Sequence, residues 1–235
     1  MKTVVVGMSG GVDSSVAAYL LKQQGCRVVG VSFLLYEARL KEIYDNEPCC
    51  SLASVQDAAR TAAALGVEHT IVNLRDIFFD QVIEPFVAEY MSGQTPNPCI
   101  FCNRCIKFPA LAQHADAIGA EYIATGHYAQ VEHDASGRAA LKKGVDQQKD
   151  QSYVLYTLPQ TILTRLLLPL GRLRKEETRA VARLLGLAAA ERPESQEICF
   201  IPDGDYASFI HGAREMPGSG PIILGETGKT VGRHD

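Results

Sequence analysis

The sequence predicts an α/β fold, a doubly wound parallel sheet followed by the start of a small, mostly β domain. Three observations carry this. Short β-branched runs, beginning with Val4-Val5-Val6, alternate with helical periods along most of the chain. Glycines close the helical periods at Gly25, Gly66 and Gly119. Beyond Phe200 regular patterns break at Pro202, Pro217, Gly218, Gly220 and Pro221, and Ile222-Ile223-Leu224 then reads as a strand. A chain of 235 residues holds one large domain plus part of another. The boundary falls between 1–200 and 201–235.

In order, residues 3–7 form the first strand and 14–24 the first helix. Residues 27–33 form the second strand, 36–50 a loop, and 51–65 a helix with Leu52, Val55, Ala59, Ala62 and Leu65 on one face. Residues 69–74 form the third strand. Residues 77–90 are helical, with Pro85 kinking or splitting them. Thr95-Pro96-Asn97-Pro98 is a rigid loop, 106–118 a helix and 122–125 the fourth strand. A hairpin joins 128–133 to 139–143 across Asp134-Ala135-Ser136-Gly137. Two more helices lie near 160–167 and 175–185.

A composition of 46% hydrophobic and 21% charged residues is that of a soluble globular protein. No apolar run reaches the ~20 residues that span a bilayer, and the amino terminus is not a signal peptide. No membrane partner and a cytoplasmic location are therefore expected. A net charge of −4 means that nucleic acid would need a local basic face. The run Arg165, Arg172, Arg174, Lys175, Arg179 and Arg183 is either such a face or a solvated one. Seven cysteines in such a chain argue against a disulfide framework.

The chemistry concentrates at Gly7-Met8-Ser9-Gly10-Gly11-Val12-Asp13-Ser14. A strand feeds a glycine turn and the turn feeds a helix, so backbone N–H groups and the helix dipole make an anion site suited to phosphate. The lysine of a Walker loop is absent. The pattern Ser-Gly-Gly-x-Asp-Ser matches the pyrophosphatase loop of enzymes that split ATP into AMP and pyrophosphate. Asp13 is a candidate to hold Mg²⁺ against the pyrophosphate, or a helix N-cap. In a doubly wound sheet ligands sit at the carboxyl ends of the strands. Those ends carry Ser9–Asp13, Phe33, Asn73 and Gly126–His127, which should converge on one crevice.

Cys99, Cys102 and Cys105 lie beside that crevice, and Cys199 lies far along the chain. Three readings compete: structural zinc on the three clustered thiols plus a fourth ligand, an iron–sulfur cluster with one open iron, and a redox pair that passes sulfur as a persulfide. Nearby Arg104 and Lys107 would favour a thiolate.

Five stretches in sequence order complete the picture. They are the glycine turn; Thr95-Pro96-Asn97-Pro98 with Cys102-Asn103 and Ile106-Lys107-Phe108; Ala124-Thr125-Gly126-His127-Tyr128; Lys149-Asp150-Gln151-Ser152-Tyr153; and Ile198-Cys199-Phe200-Ile201. Together they resemble the tRNA-specific 2-thiouridylase family of MnmA type, whose members adenylate the 2-carbonyl of the wobble uridine and replace that oxygen with sulfur. The resemblance implies an adenine nucleotide α-hydrolase-like fold and ATP bound by residues 7–14 with Phe33 and Gly126. It implies Asn97, Pro98 and Cys99 at the target base, and His127, Lys149, Asp150 and Gln151 at the tRNA. Cys102 resembles the nucleophile and Cys199 the persulfide carrier, supplied by a sulfur-relay protein, a cysteine desulfurase or free sulfide.

The chain departs from the family in three ways. It has no tryptophan after the second strand. Cys99 stands where some members carry aspartate. The family's carboxy-terminal β-barrel is absent, as in a truncated or naturally short form. A third thiol beside the nucleophile has no task in a two-cysteine relay. For that reason a [4Fe–4S] cluster on Cys99, Cys102 and Cys199, with Cys105 as a substitute ligand, is preferred over the relay. Two other classes fit parts of the pattern: a ligase that adenylates a small carboxylate, and a non-catalytic nucleotide- or metal-binding module.

Overall fold

The computed structural model describes residues 1–36, 52–187, 190, 197–214 and 218–234. The predicted loop beyond Tyr36, and with it Cys49 and Cys50, lies outside the described residues. The chain divides into two compact units, Met1–Gly204 and Asp205–Asp235.

The first unit runs β1 (Thr3–Gly7), α1 (Val12–Gln23), β2 (Arg27–Leu34), α2 (Leu52–Leu65), β3 (Glu68–Asn73), α3 (Arg75–Phe78) and α4 (Glu84–Met91). It continues through α5 (Pro98–Phe101), α6 (Phe108–Ala117), β4 (Tyr122–Ala124), β5 (Ala129–His133), β6 (Ala139–Lys143), α7 (Gln160–Leu163), β7 (Leu166–Leu167) and α8 (Lys175–Leu184). Five strands make one parallel sheet in the order β3-β2-β1-β4-β7. Side chains alternate across it. Val5, Val31 and Ile123 pack under α6 and α7, with Phe108, Leu111 and Ile162. Val4, Val6 and Val28 pack under α1 and α2, with Ala18, Leu21, Ala58 and Ala62. Helices thus cover both faces, as the doubly wound reading requires. Within α2 it is Ala58, not Ala59, that is fully buried.

The expected hairpin forms as β5–β6, starting one residue later than expected, with Ala129 opposite Lys143 and His133 opposite Ala139. The fifth strand was not expected. Leu166 and Leu167, read as the end of a helix, pair with Ile123 and Ala124 instead. Arg165 explains the switch: its guanidinium donates to the carbonyls of Ala120 and Glu121 and pairs with Asp116, which ties the chain to the root of β4.

Prolines shape the helices without breaking them. A wide π turn over Phe79–Ile83 joins α3 to α4, and another over Cys102–Lys107 joins α5 to α6. Each ends just before a proline at the second position of the next segment, Pro85 or Pro109. Proline has no N–H for the carbonyl four residues back, Gln81 or Cys105, and its ring crowds that carbonyl. A turn closed over five residues rather than four relieves both. Pro85 therefore neither splits nor ends its helix. The helix expected from residue 106 starts at Pro98, capped by the Asn97 side chain.

The second unit holds α9 (Tyr206–Ala213), begun by the Asp205 side chain, which accepts from Ser208 N and Oγ. It also holds the antiparallel pair β8 (Gly220–Ile223) and β9 (Thr230–His234). The strand read at Ile222-Ile223-Leu224 is β8, ending one residue early. The helix was not expected.

Inside the first unit, one contact fixes how closely β4 approaches α1. A Cβ on Gly126, just past β4, would stand 2.7 Å from the Asp13 carbonyl carbon and 2.7 Å from Ser14 N, in the first turn of α1. Gly126→Ala should push β4 and α1 apart and cost about 1–3 kcal/mol. Urea denaturation measures this, and an unchanged midpoint would contradict the close approach.

Candidate active site

The strand order reverses between β1 and β4, so their carboxyl ends flank a crevice. A cleft of about 210 Å³ lies there. Gly7, Met8, Ser9, Asp13 and Ser14 form one wall, and Val31 and Phe33 of β2 the next. Ser54 and Val55 of α2, Lys107 and Leu111 from the cysteine-bearing helix, Thr125–His127 after β4, and Gln151 complete it. Three of the four expected segments converge. Asn73 does not, because its side chain accepts from Arg75 N and Nε at the start of α3.

The turn is built for close approach. Gly10 takes φ +77°, and a Cβ there would stand 2.3 Å from the Ser54 carbonyl oxygen. Gly11 is the N-cap of α1 in extended conformation, with no side-chain cap. The hydroxyls hold the loop from inside: Ser14 Oγ accepts from Ser9 N and donates to Gly11 O, and Ser15 Oγ donates to Gly11 O at 2.8 Å. Val12 is buried as a packing residue. Below the loop, Ser32 Oγ donates to Met8 O at 2.6 Å and also bonds His69 Nε2. The first-turn N–H groups of α1 keep the positive end of the helix at the cleft.

Asp13 is not the N-cap. Its carboxylate takes Lys175 Nζ at 2.7 and 2.8 Å and the Tyr128 hydroxyl at 2.9 Å. Lys175, first residue of α8, also lies over the Tyr128 ring, 5.5 Å from its centroid. The Lys175 side chain is only 12% exposed. Its backbone N–H donates to Asp146, which fixes the helix start.

His127 bonds Thr125 Oγ1 through Nδ1 at 2.8 Å and stacks on Phe108, with ring centroids 6.0 Å apart. Enclosure, and then the Lys107 ammonium, push its pKa down to about 3, so the ring is neutral. Gln151 and Tyr128 bond each other twice: Gln151 N donates to Tyr128 O, and Tyr128 N donates to Gln151 Oε1. That leaves the Gln151 NH₂ as its polar group for the cleft. Asp150 does not line the cleft; it accepts from Gly144 N, Ser152 N and Ser152 Oγ and so shapes the loop. Lys149 N bonds Asp146 O, and the residue lies outside the cleft lining.

Asn97, Pro98, Cys99 and Cys102 are not in the cleft wall. They begin the helix that delivers Lys107 and Leu111 to it. Cys102 is buried, while Cys99, Cys105 and Cys199 are half-buried. Among the described residues, no group of three or more His, Cys, Asp or Glu is placed to hold a metal ion. One continuous helical run carries Cys99, Cys102 and Cys105, spreading them along roughly 9 Å of axis at ~1.5 Å per residue. The basic run is no single face either. Arg165 pairs with Asp116, Lys175 turns inward onto Asp13, and Arg179 donates to Ala190 O. The sequence had singled out neither the Tyr128 hydroxyl nor the inward turn of Lys175. Tyr128 lay inside a quoted motif, but the carboxylate partner is 115 residues away.

The tRNA methyl transferase HUP domain family matches residues 2–203. A tRNA-specific 2-thiouridylase MnmA 1 of Caldanaerobacter subterraneus subsp. tengcongensis is 54% identical over 209 residues, 88% of this chain and 57% of that protein. A tRNA-specific 2-thiouridylase MnmA of Carboxydothermus hydrogenoformans is 48% identical over 238 residues, 99% of this chain and 64% of that protein. The chain thus spans somewhat over half the length of these curated relatives. The crystal structure of a 4-thiouridine synthetase–RNA complex with bound ATP superposes with a TM-score of 0.51 at 19% identity, over 86% of this chain and 46% of that one; this likeness shows a shared fold. With the family matched from end to end of the sheet and these relatives at about half identity, the chain belongs to the tRNA-specific 2-thiouridylase (MnmA) family.

Proposed function

We propose that this chain carries the ATP-using, sulfur-inserting part of a tRNA 2-thiouridylase. Residues 1–200 act as the catalytic domain and 201–235 begin a central β domain. One observation supports the reading above others: the pyrophosphatase-type loop, Phe33, Gly126–His127 and Gln151 share one cleft with the helix that bears the candidate cysteines.

The loop from Gly7 to Ser14 binds ATP phosphates through its N–H groups and the α1 dipole, and Phe33 packs on the adenine. Mg²⁺ fits as a phosphate-borne ion, because it needs only one or two protein carboxylates and Asp13 is a carboxylate in the cleft wall; when bound it neutralises the departing pyrophosphate. Lys175 and Tyr128 hold the Asp13 carboxylate in place. The uridine 2-oxygen attacks the α-phosphorus and pyrophosphate leaves, so the poor leaving group becomes AMP. The neutral His127 ring and the Gln151 NH₂ orient the base, and Asn97, Pro98 and Cys99 flank it.

Sulfur then arrives as a persulfide on Cys199: its thiolate takes the outer sulfur of a persulfide on a sulfur-relay protein or cysteine desulfurase, whose own thiolate leaves. Its terminal sulfur attacks C2 and expels AMP. The Cys102 thiolate attacks Cys199 Sγ, the S–S bond to the base breaks, and 2-thiouridine leaves with a Cys102–Cys199 disulfide behind. A thiol reductant resets the pair. The relay is taken here over the cluster because it needs only two thiols, and Cys99, Cys102 and Cys105 follow one another along a single helical run. tRNA is the acceptor, met by local basic groups such as Lys149. No helix among the described residues is long and apolar enough to cross a membrane, and a cytoplasmic location accords with this chemistry.

Asp13→Ala should lower pyrophosphate release by a hundredfold or more, about the loss seen when a transition-state charge partner is removed; release of ADP and phosphate by the wild type would overturn the loop assignment. Cys102→Ser and Cys199→Ser should each abolish thiolation with adenylation intact, while Cys99→Ser keeps most activity. Iron stoichiometry measured after anaerobic purification checks the same point, since iron lost together with activity in Cys99→Ser would restore the cluster.

The His127 prediction concerns pH. An unfolded chain protonates His near ~6.5, whereas the folded ring does so only near 3. Acid should therefore weaken the fold progressively below about pH 6.5, and His127 NMR signals should stay flat from pH 5 to 8. A His127 titration inside that range would contradict the neutral-ring role.

A further inference from the structure

Phe200, the residue after Cys199, is seated in a slot. It is fully buried, and its ring meets Phe78 edge-on at 5.7 Å and 77° and Phe86 at 5.2 Å and 89°. Phe86 in turn meets Tyr90 at 4.9 Å. Such edge-to-face pairs hold the ring in a definite orientation as well as burying its area.

The slot exists because of a π turn. Phe78 and Phe86 are eight residues apart, which in an unbroken α-helix puts them about 80° apart around the axis. The turn over Phe79–Ile83 holds one residue more than an α turn. Phe86 therefore stands where the seventh residue would, about 20° from Phe78. Both rings face the same way and leave a gap that an aromatic edge fills.

The same helix also receives the other cysteine. Segment α5 packs on the π turn at 79–83, and the π turn that contains Cys102 packs on α3 and on 79–83. The chain around Phe200 is tightly turned: Ile201 N donates to Ile198 O, and Gly204 N donates to Ile201 O. Little slack remains between the Phe200 ring and the Cys199 thiol. Cys102 and Cys199 thus take their positions from one helix, residues 75–91.

We propose that Phe200 is a positioning residue for sulfur transfer, its ring in the Phe78–Phe86 slot setting the approach of Cys199 to Cys102. This rests on the reading of those two cysteines as the reacting pair. Seating Phe200 raises the effective concentration of one thiol at the other. It therefore favours the disulfide that ends the reaction.

Equilibration of the chain with reduced and oxidised glutathione tests this without turnover. Both thiols give up their protons, the Cys102–Cys199 bond forms, the glutathione S–S bond breaks, and two glutathione thiols are released. Peptide mass spectrometry gives the equilibrium constant. Phe200→Ala should lower it at least tenfold, equivalent to about 30 mV, with ATP affinity kept within about twofold. Phe86→Leu, which widens the slot while Phe200 stays, should lower it in the same direction and serves if Phe200→Ala fails to fold. A wild-type chain that forms the disulfide as readily as both variants overturns the role of Phe200 alone. A wild-type chain that never forms it overturns the cysteine pair itself.

Discussion

The approach of Gly126 to the first turn of α1 is the constraint on which the site depends. With the glycine's missing Cβ only 2.7 Å from backbone atoms of Asp13 and Ser14, the end of β4 lies against the start of the phosphate-type loop. His127 then falls in the cleft, and the Tyr128 hydroxyl reaches the Asp13 carboxylate. Tyr128 binds Gln151 with its backbone, so the far wall is carried along. Lys175 closes the circuit from α8. A crevice between parallel strands needs no such circuit to exist. It needs one for groups from distant segments to keep fixed distances when a highly charged ligand enters.

The Asp13–Lys175 pair settles the charge state of that crevice. A carboxylate facing polyphosphate repels it unless a cation intervenes, and here an ammonium and a phenol already hold both oxygens. The ion pair orients Asp13, and the lysine offsets its charge at the loop. His127 adds none, because enclosure and Lys107 keep its ring neutral. The positive end of α1 and Lys107 both stand at the cleft.

The cysteine side rests on two prolines. Pro85 and Pro109 each come after a π turn, and the two widened turns pack together. One aligns Phe78 and Phe86 to receive Phe200, and the other buries Cys102. A helix-breaking residue here changes which face a helix presents, with the helix itself preserved.

The sequence by itself determined the parts that depend on neighbours along the chain. Val4-Val5-Val6 alternate between two cores, Gly10 takes the positive φ its turn needs, and the hairpin over 129–143 forms in register, because strand period and turn chemistry are local. The motif order fixed the family for the same reason. Only the tertiary structure decided the rest. Leu166–Leu167 became a strand because β4 offered an unpaired edge and Arg165 held it there. Pro85 widened its helix because packing on both sides kept that helix whole. Lys175 left the basic run for Asp13, 162 residues away, and the clustered cysteines stayed strung along one helix. These outcomes turn on competition between partners distant in sequence, where propensity differences of tenths of a kilocalorie yield to burial, ion pairing and sheet hydrogen bonds.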